Sequence, residues 1–503
     1  MQPRSIMWLA LVTLSLVASA EDWPTYRHDA SRAGASGETL AWPLANRWTY
    51  STPAPLKTAW SGSGGRSVEG KDLYDRVRFD DALHVAVVGG RVFFGSSVDH
   101  RIHCIDAKTG RSAWSTFTDA PIRLAPTVAD GRVYIGSEDG YAWCLDAATG
   151  RVQWRLRLGP ADERIVARGE MISRWPVRTG ILVENGVAYF GAGIFPHENV
   201  YLAAVDAKTG KPIWRNDQVS HGNAGRADLS PQGYLLATKS ALYFPSGRSR
   251  PSAVDRKTGK KRWVVKTQAE VNSSAAVVGN RVIFGSYDAN LYCVDAKSGK
   301  TIWTFQTADR INGSPAIAGK YTFVTGCDQH LRMINIQTGK QEQDMALGSF
   351  MIASPAIVGD MLYVGTHDGE FLAVNWKQHK VVWRYTDPQR NQPFHASAAI
   401  KGDRIVVGCQ DKRVHCLDRK TGKRLWVFAT RAQVNSSPVI AGERVYFGSG
   451  DQHVYGVDLQ TGRESWKFRG KLDFNAAPAV AGGCLLIGSE GTKANLYCFG
   501  GKK

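Results

Sequence analysis

The chain has 503 residues, 43% of them hydrophobic, with 52 glycines, 16 Trp, 17 Tyr, 18 Phe and a formal net charge of +18. So apolar and aromatic a composition excludes a disordered chain, and the length exceeds what one ordinary core needs. Several domains or a repeat array are expected.

Residues 1–20, MQPRSIMWLALVTLSLVASA, join Arg4 to an apolar run from Ile6 to Val17 and a small-residue exit at Ala18-Ser19-Ala20. This is the pattern of a secretory signal peptide cleaved after Ala20, too short and wrongly flanked for a stable span. No later stretch reaches the roughly 18 apolar residues that a span needs. The expectation is a periplasmic or secreted protein, without a transmembrane segment after cleavage, folded as one domain over 21–503.

Asn46 to Ser51 reads as a strand, and its Trp48 has no sheet beside it. Residues 53–80 are Gly/Ser-rich and charged, which marks a long inserted loop. From about Asp81 one unit recurs, shown plainly by Val271 to Thr307, VNSSAAVVGNRVIFGSYDANLYCVDAKSGKTIWTFQT. Ser273–Val278, Arg281–Ser286, Leu291–Asp295 and Thr301–Thr307 read as four strands, separated by turns at Gly279-Asn280, at Tyr287 to Asn290 and at Ala296 to Lys300. A Trp marks the last strand of each unit: Trp114, Trp154, Trp214, Trp263, Trp303, Trp383, Trp426 and Trp466, with Gln343 where another should stand. Longer steps earlier in the chain reveal insertions near 159–174 and 216–230. A final unit begins at Asn475 and ends after three strands at Tyr497-Cys498-Phe499, so the strand around Trp48 should supply its fourth.

A four-strand unit with a period near 40, closed by strand exchange between the termini, is the pattern of an all-β propeller. A solenoid would need no such exchange, and the G-H and W-D logic of WD repeats is missing. The count is ten units.

The cysteines follow the repeat. Cys104, Cys144, Cys293, Cys416 and Cys498 share one third-strand position, which elsewhere holds Ala204, Ala253 or Gly456. That is a tight buried site, not a disulfide framework. Cys327, Cys409 and Cys484 are scattered and show no zinc or haem spacing. Much of the positive charge recurs in one turn, as in Asp106 to Gly110 or Asp418 to Gly422, and reads as a solvated basic rim rather than a specific nucleic-acid surface.

The turn and tryptophan pattern of Ala107-Lys108-Thr109-Gly110 to Trp114, repeated from Ala296 to Trp303, resembles the tryptophan-docking motif of pyrroloquinoline-quinone (PQQ) type β-propellers. The opening Asp22-Trp23-Pro24-Thr25-Tyr26-Arg27 resembles the start of such proteins. The resemblance spans almost everything after the signal. It implies either a quinone-dependent dehydrogenase of alcohols or sugars, with PQQ and Ca²⁺ in the funnel, or a non-enzymatic propeller like the BamB lipoprotein, a scaffold in outer-membrane protein assembly. Those dehydrogenases commonly carry an adjacent Cys-Cys pair and eight docking repeats. Here there is no such pair, and the count is ten. A lipoprotein carries Cys after the cleavage site, where this chain has Glu21.

Aligned on second strands, one position just before each first strand reads Ala82, Arg123, Arg178, Gln232, Asn272, Asn312, Ile352, His395, Asn435 and Asn475. It should ring one mouth of the channel. Arg123 and Arg178 could clamp a carboxylate or phosphate, the Asn amides could donate and accept, and Trp175 could stack on a planar ligand. His395 could act as a base, though an isolated His more often lines a site. The recurring second-turn aspartates, Asp99 to Asp451, are explained by turn chemistry. No catalytic constellation stands out. The expectation is a monomeric binding or scaffold protein for an envelope partner or a small polar or anionic ligand, with a PQQ- and Ca-dependent dehydrogenase as the alternative.

Overall fold

The structure is a computed structural model that describes residues 35–59, 83–167, 169–195, 198–220, 229–244, 251–269, 271, 275–311, 315–325, 328–349, 351, 355–490 and 493–502. It is all-β, and no helix among these residues is long and apolar enough to cross a membrane. Ten four-stranded antiparallel meanders follow one another as the blades of a propeller. Blades 1 to 9 occupy 85–117, 127–157, 182–216, 236–264, 276–306, 316–346, 356–386, 399–429 and 439–469. Blade 10 takes three strands from 479–501 and its outer strand, Leu44–Ser51, from the N-terminal region, antiparallel to Asn495–Gly501 with Trp48 opposite Cys498. The expected exchange between the termini is therefore present.

Each blade alternates as a half-buried outer strand demands. In blade 5, Thr301–Gln306 turns Trp303 inward while Thr301, Ile302 and Thr304 face solvent, whereas the middle strands are buried on both faces, as in Arg281–Gly285. The third-strand cysteines Cys104, Cys144, Cys293, Cys416 and Cys498 are fully buried, each paired with the Trp of the neighbouring strand. Cys327 lies outside the described residues.

The turns between strands 3 and 4 join the blades. In blade 1, Asp106 accepts bonds from the Lys108 and Thr109 amides and the Thr109 hydroxyl, which lets Gly110 take a φ of 69°. A side chain at Gly110 would collide with the Trp48 ring, so glycine serves both the turn and the close approach. The Trp48 indole then donates to the Ala107 carbonyl at 3.0 Å. The same bond runs from Trp114 to Ala147, Trp154 to Ala207, Trp214 to Arg256, Trp263 to Ala296, Trp303 to Ile336, Trp383 to Arg419 and Trp426 to Leu459. The Trp48 bond docks blade 10 onto blade 1.

Two junctions differ. Between blades 6 and 7 the docking Trp is replaced by Gln343. Trp376, standing where four other turns carry Ala, reaches back from blade 7 against Tyr321 and Phe323 of blade 6. Between blades 9 and 10 no turn exists to receive Trp466, which packs edge-on against Phe499.

The sequence did not announce two further elements. Ala35–Ser36 pairs in parallel with the inner strand of blade 9, and the insertion expected as a loop near 159–174 contains a hairpin of Arg164–Ala167 with Glu170–Ser173. Most of the insertion at 53–80, and residues 221–228 of that at 216–230, lie outside the described residues.

Candidate functional site

The docking turns lie on one face of the ring. The opposite face is built from the turns between strands 2 and 3 and the loops that enter each blade, and it carries the variable position. Ala82, Asn272, Asn312 and Ile352 lie outside the described residues. The other six are placed.

Arg123 and Arg178 come together, on one shared carboxylate. Glu138, in the turn of blade 2, receives Arg123 through Oε2 at 2.8 Å and Arg178 through Oε1, and is 1% exposed. Burial pushes its carboxyl up, but the guanidiniums of Arg178 and Arg123 outweigh that and hold it below the usual range. Arg123 also donates to the Lys57 carbonyl.

A neutral version of this arrangement sits between blades 8 and 9. The Gln410 amide lies 2.7 Å from His395 Nδ1 and 3.3 Å from Asn435 Oδ1. His395 Nε2 is 3.4 Å from His367 Nδ1, with the rings stacked at 5.5 Å. Burial and then His367 lower the His395 pKa, which favours the neutral ring. Asn475 donates to Glu490 at 3.0 Å, and Gln232 donates to the Ser230 hydroxyl at 2.7 Å.

A second tier, missed in the sequence, explains these pairs. Glu138, His367, Gln410 and Glu490 occupy one position, directly before the turn aspartate or its equivalent. Glu138 and Gln410 each bridge the ring residue of their own blade to that of the next; His367 reaches the next blade's and Glu490 its own. The signal was available: within Gly-Ser-Glu-Asp, Gly-Ser-Tyr-Asp, Gly-Thr-His-Asp and Gly-Cys-Gln-Asp, beginning at Gly136, Gly285, Gly365 and Gly408, only the third residue changes freely in size and charge.

Trp175 offers no stacking face. It is 5% exposed, its N–H donates to the Glu198 carbonyl at 2.7 Å, Tyr201 meets it edge-on at 6.1 Å and the Arg174 guanidinium lies 5.5 Å from its centre. It anchors the insertion instead. The second-turn aspartates do more than shape turns. Asp288 accepts the Tyr292 hydroxyl at 2.7 Å and the Gln268 amide of the entering loop at 2.8 Å, and Asp451 does the same with Tyr455 and Arg431. Each ties its hairpin to the loop that carries the ring residue.

Of the residues named for a quinone and Ca²⁺, the described Arg123, Arg178 and Trp175 do not fit those groups as arranged here. Both arginines already serve Glu138, Trp175 is enclosed, and a carboxylate held by two guanidiniums is a poor ligand for a cation that takes 6–8 oxygens.

This fold, with its docking turns, defines the class of PQQ-like β-propellers. A sequence profile of the family described as outer membrane protein assembly factor BamB matches residues 57–227, 198–284, 247–397 and 387–497, and the chain belongs to that family. The chain is 24% identical over 222 residues to the outer membrane protein assembly factor BamB of Yersinia pestis, covering 41% of this chain and 51% of that one. It is 39% identical over 98 residues to the quinohemoprotein alcohol dehydrogenase ADH-IIG of Pseudomonas putida, covering 17% and 14%. It is 25% identical over 253 residues to the 1-butanol dehydrogenase (quinone) of Thauera butanivorans, covering 46% and 38%. The matches thus span about half, or less, of these relatives. Among solved structures, the quinohemoprotein alcohol dehydrogenase of Comamonas testosteroni is similar with a TM-score of 0.51 over 96% of this chain and 81% of that one, at 16% identity, a likeness of fold alone.

Proposed function

We propose that this chain is an exported, periplasmic binding and scaffold propeller whose variable mouth recognises a protein of the envelope or a small anionic ligand. The observation that carries this reading is the pairing of the mouth residues with one another. Glu138 holds Arg123 and Arg178, and Gln410 joins His395 to Asn435, in bridges that cross blade junctions. Such bridges make a pre-organised surface rather than a set of groups poised to move protons. The BamB family match over most of the chain supports the same reading.

The alternative, a quinone-dependent dehydrogenase, is favoured by the local identity to the Pseudomonas putida and Thauera butanivorans enzymes. In related quinoproteins PQQ and Ca²⁺ supply the redox chemistry. In this chain the described mouth residues hold each other instead, and no reaction step is assigned to them. Two experiments separate the readings. Expression in a bacterium lacking its own BamB should restore outer-membrane protein levels. Addition of PQQ and Ca²⁺ to the purified chain should give no dye reduction with alcohols or aldoses. Stoichiometric quinone binding with turnover would overturn the scaffold reading.

A further inference from the structure

The clamp formed by the second-turn aspartates has the same parts in blades 5 and 9, and blade 8 changes three of them at once. In blades 5 and 9 the parts are a serine two residues before the aspartate, a tyrosine four residues after it, and a loop amide five residues after the previous blade's docking Trp. These are Ser286, Tyr292 and Gln268 around Asp288, and Ser449, Tyr455 and Arg431 around Asp451. In blades 2 and 6 the loop amide is again the fifth residue after the Trp, Asp119 to Asp139 and Ala308 to Asp328.

In blade 8 the serine is Cys409, the tyrosine is His415, and the fifth residue after Trp383 is Pro388, which has no N–H to give. The amide two residues after the aspartate, which bonds Oδ1 in blades 5 and 9, gives no such bond to Asp411. Asp411 is 3% exposed, and its Oδ1 is buried with no hydrogen-bond partner. A buried carboxylate oxygen left so is costly unless something positive meets it.

What surrounds Asp411 is a ligand set. One ligand atom each from Cys409, Asp411 and His415 lies within 4.8 Å of the others, and all three residues are buried. The hairpin explains the grouping. Cys409 pairs with Arg413 and Val407 with His415, so alternation puts Cys409 and His415 on one face of the sheet with Asp411 in the turn between. His415 Nε2 lies 3.0 Å from Asp411 Oδ2. Its Nδ1 is 2.9 Å from the Tyr385 hydroxyl, which contacts Asp387, a carboxylate that also receives Arg413 and Arg424. A partner on the second ring nitrogen is how proteins orient a ligating imidazole.

We propose that Cys409, Asp411 and His415 form a buried structural site in blade 8 for a divalent cation of borderline softness, Zn²⁺ above all. Thiolate with imidazole selects such an ion over the hard cations of all-oxygen sites. The Gln392 and Pro393 carbonyls, 3.2 and 3.4 Å from Cys409 Sγ, are near enough to complete the shell. Binding replaces the Cys409 thiol proton, which leaves to solvent, by the metal. The site lies apart from the Glu138 cluster and does not depend on the function of the mouth.

The test uses the untagged full-length chain, equilibrated with Zn²⁺ or Co²⁺, desalted and assayed for metal. One equivalent should be retained, and Co²⁺ should give a thiolate-to-metal charge-transfer band. Cys409→Ser and His415→Tyr restore the residues of blades 5 and 9, so both variants should fold, and each should lower retention at least about tenfold. A negligible metal content in the unaltered chain, or full retention by both variants, would overturn the proposal.

Discussion

Aspartates stand in tight turns on both faces of the propeller: the docking face holds its aspartates low alike, whereas the mouth face lowers Asp99 and Asp288 but raises Asp139. On the docking face, Asp106, Asp146, Asp206, Asp295 and Asp418 sit near solvent, and hydrogen bonds from the Thr or Ser three residues on lower their pKa. On the mouth face, Asp139 accepts the Tyr141 amide and the Trp143 indole, yet burial outweighs these bonds and pushes its carboxyl up to about 6. The docking face repeats one solution and spends its side chains on joining blades. The mouth face keeps the turn but changes its neighbours, so each blade carries its own chemistry. Constancy marks the scaffold, and departure from it marks where specificity can reside.

The contrast can be broken at its strongest points first. Trp303→Ala on the docking face should cost about 3–5 kcal/mol, because a large ring and its bond to Ile336 are both lost. The corresponding Gln343→Ala should stay within about 0.5 kcal/mol, since that junction is filled by Trp376. Urea unfolding of the two variants measures the difference. On the mouth face, Glu138→Ala takes the shared carboxylate from two buried guanidiniums and should cost about 3–5 kcal/mol. Gln410→Ala, at the same position in the neutral cluster, should cost only about 1 kcal/mol. Equal losses would show that charge does not distinguish the two clusters.

A smaller effect depends on pH. In the unfolded chain Asp139 ionises near pH 4, but in the fold it holds its proton to about pH 6. Between those values the folded state binds the extra proton, so this residue's contribution to stability falls as pH rises and does not recover above 6. Asp139→Asn should remove about 1–3 kcal/mol of that decline, read as a flatter stability profile between pH 4 and 6 than the parent's. The docking-face aspartates run the other way: their contribution is present above pH 4 and is lost on acidification. Comparable to the Gln410 change, Asp295→Ala should cost about 1 kcal/mol by freeing one turn.

Much of the fold was legible because it is written many times. The spacing of Trp263, Trp303 and Trp383, the turn glycines and the lone strand at Trp48 gave four-stranded blades, their number and the exchange between the termini, since a repeated local pattern admits few packings. The ring position was legible for the same reason, and Arg123, Arg178, His395, Asn435 and Asn475 do lie on one face. Their partners were not legible. Glu138 and Gln410 lie 15 residues from Arg123 and His395 in their own blades, and 40 and 25 residues from Arg178 and Asn435 in the next. Nothing local says that the second tier would reach across a junction. Trp175 misled because an aromatic in an inserted loop has no periodicity to show which way it faces.

By itself, then, the sequence determined what recurs: strand number, turn type, the buried cysteine position and the order of blades, all set by short-range patterns of polarity and by glycine's conformational freedom. The tertiary structure alone decided which mouth residues neutralise each other, that Trp376 reaches back to fill the junction left by Gln343, and that Pro388 leaves Asp411 short of a donor beside Cys409 and His415. Those outcomes depend on contacts between blades and on which buried atoms find a partner, and both exist only once the blades have docked.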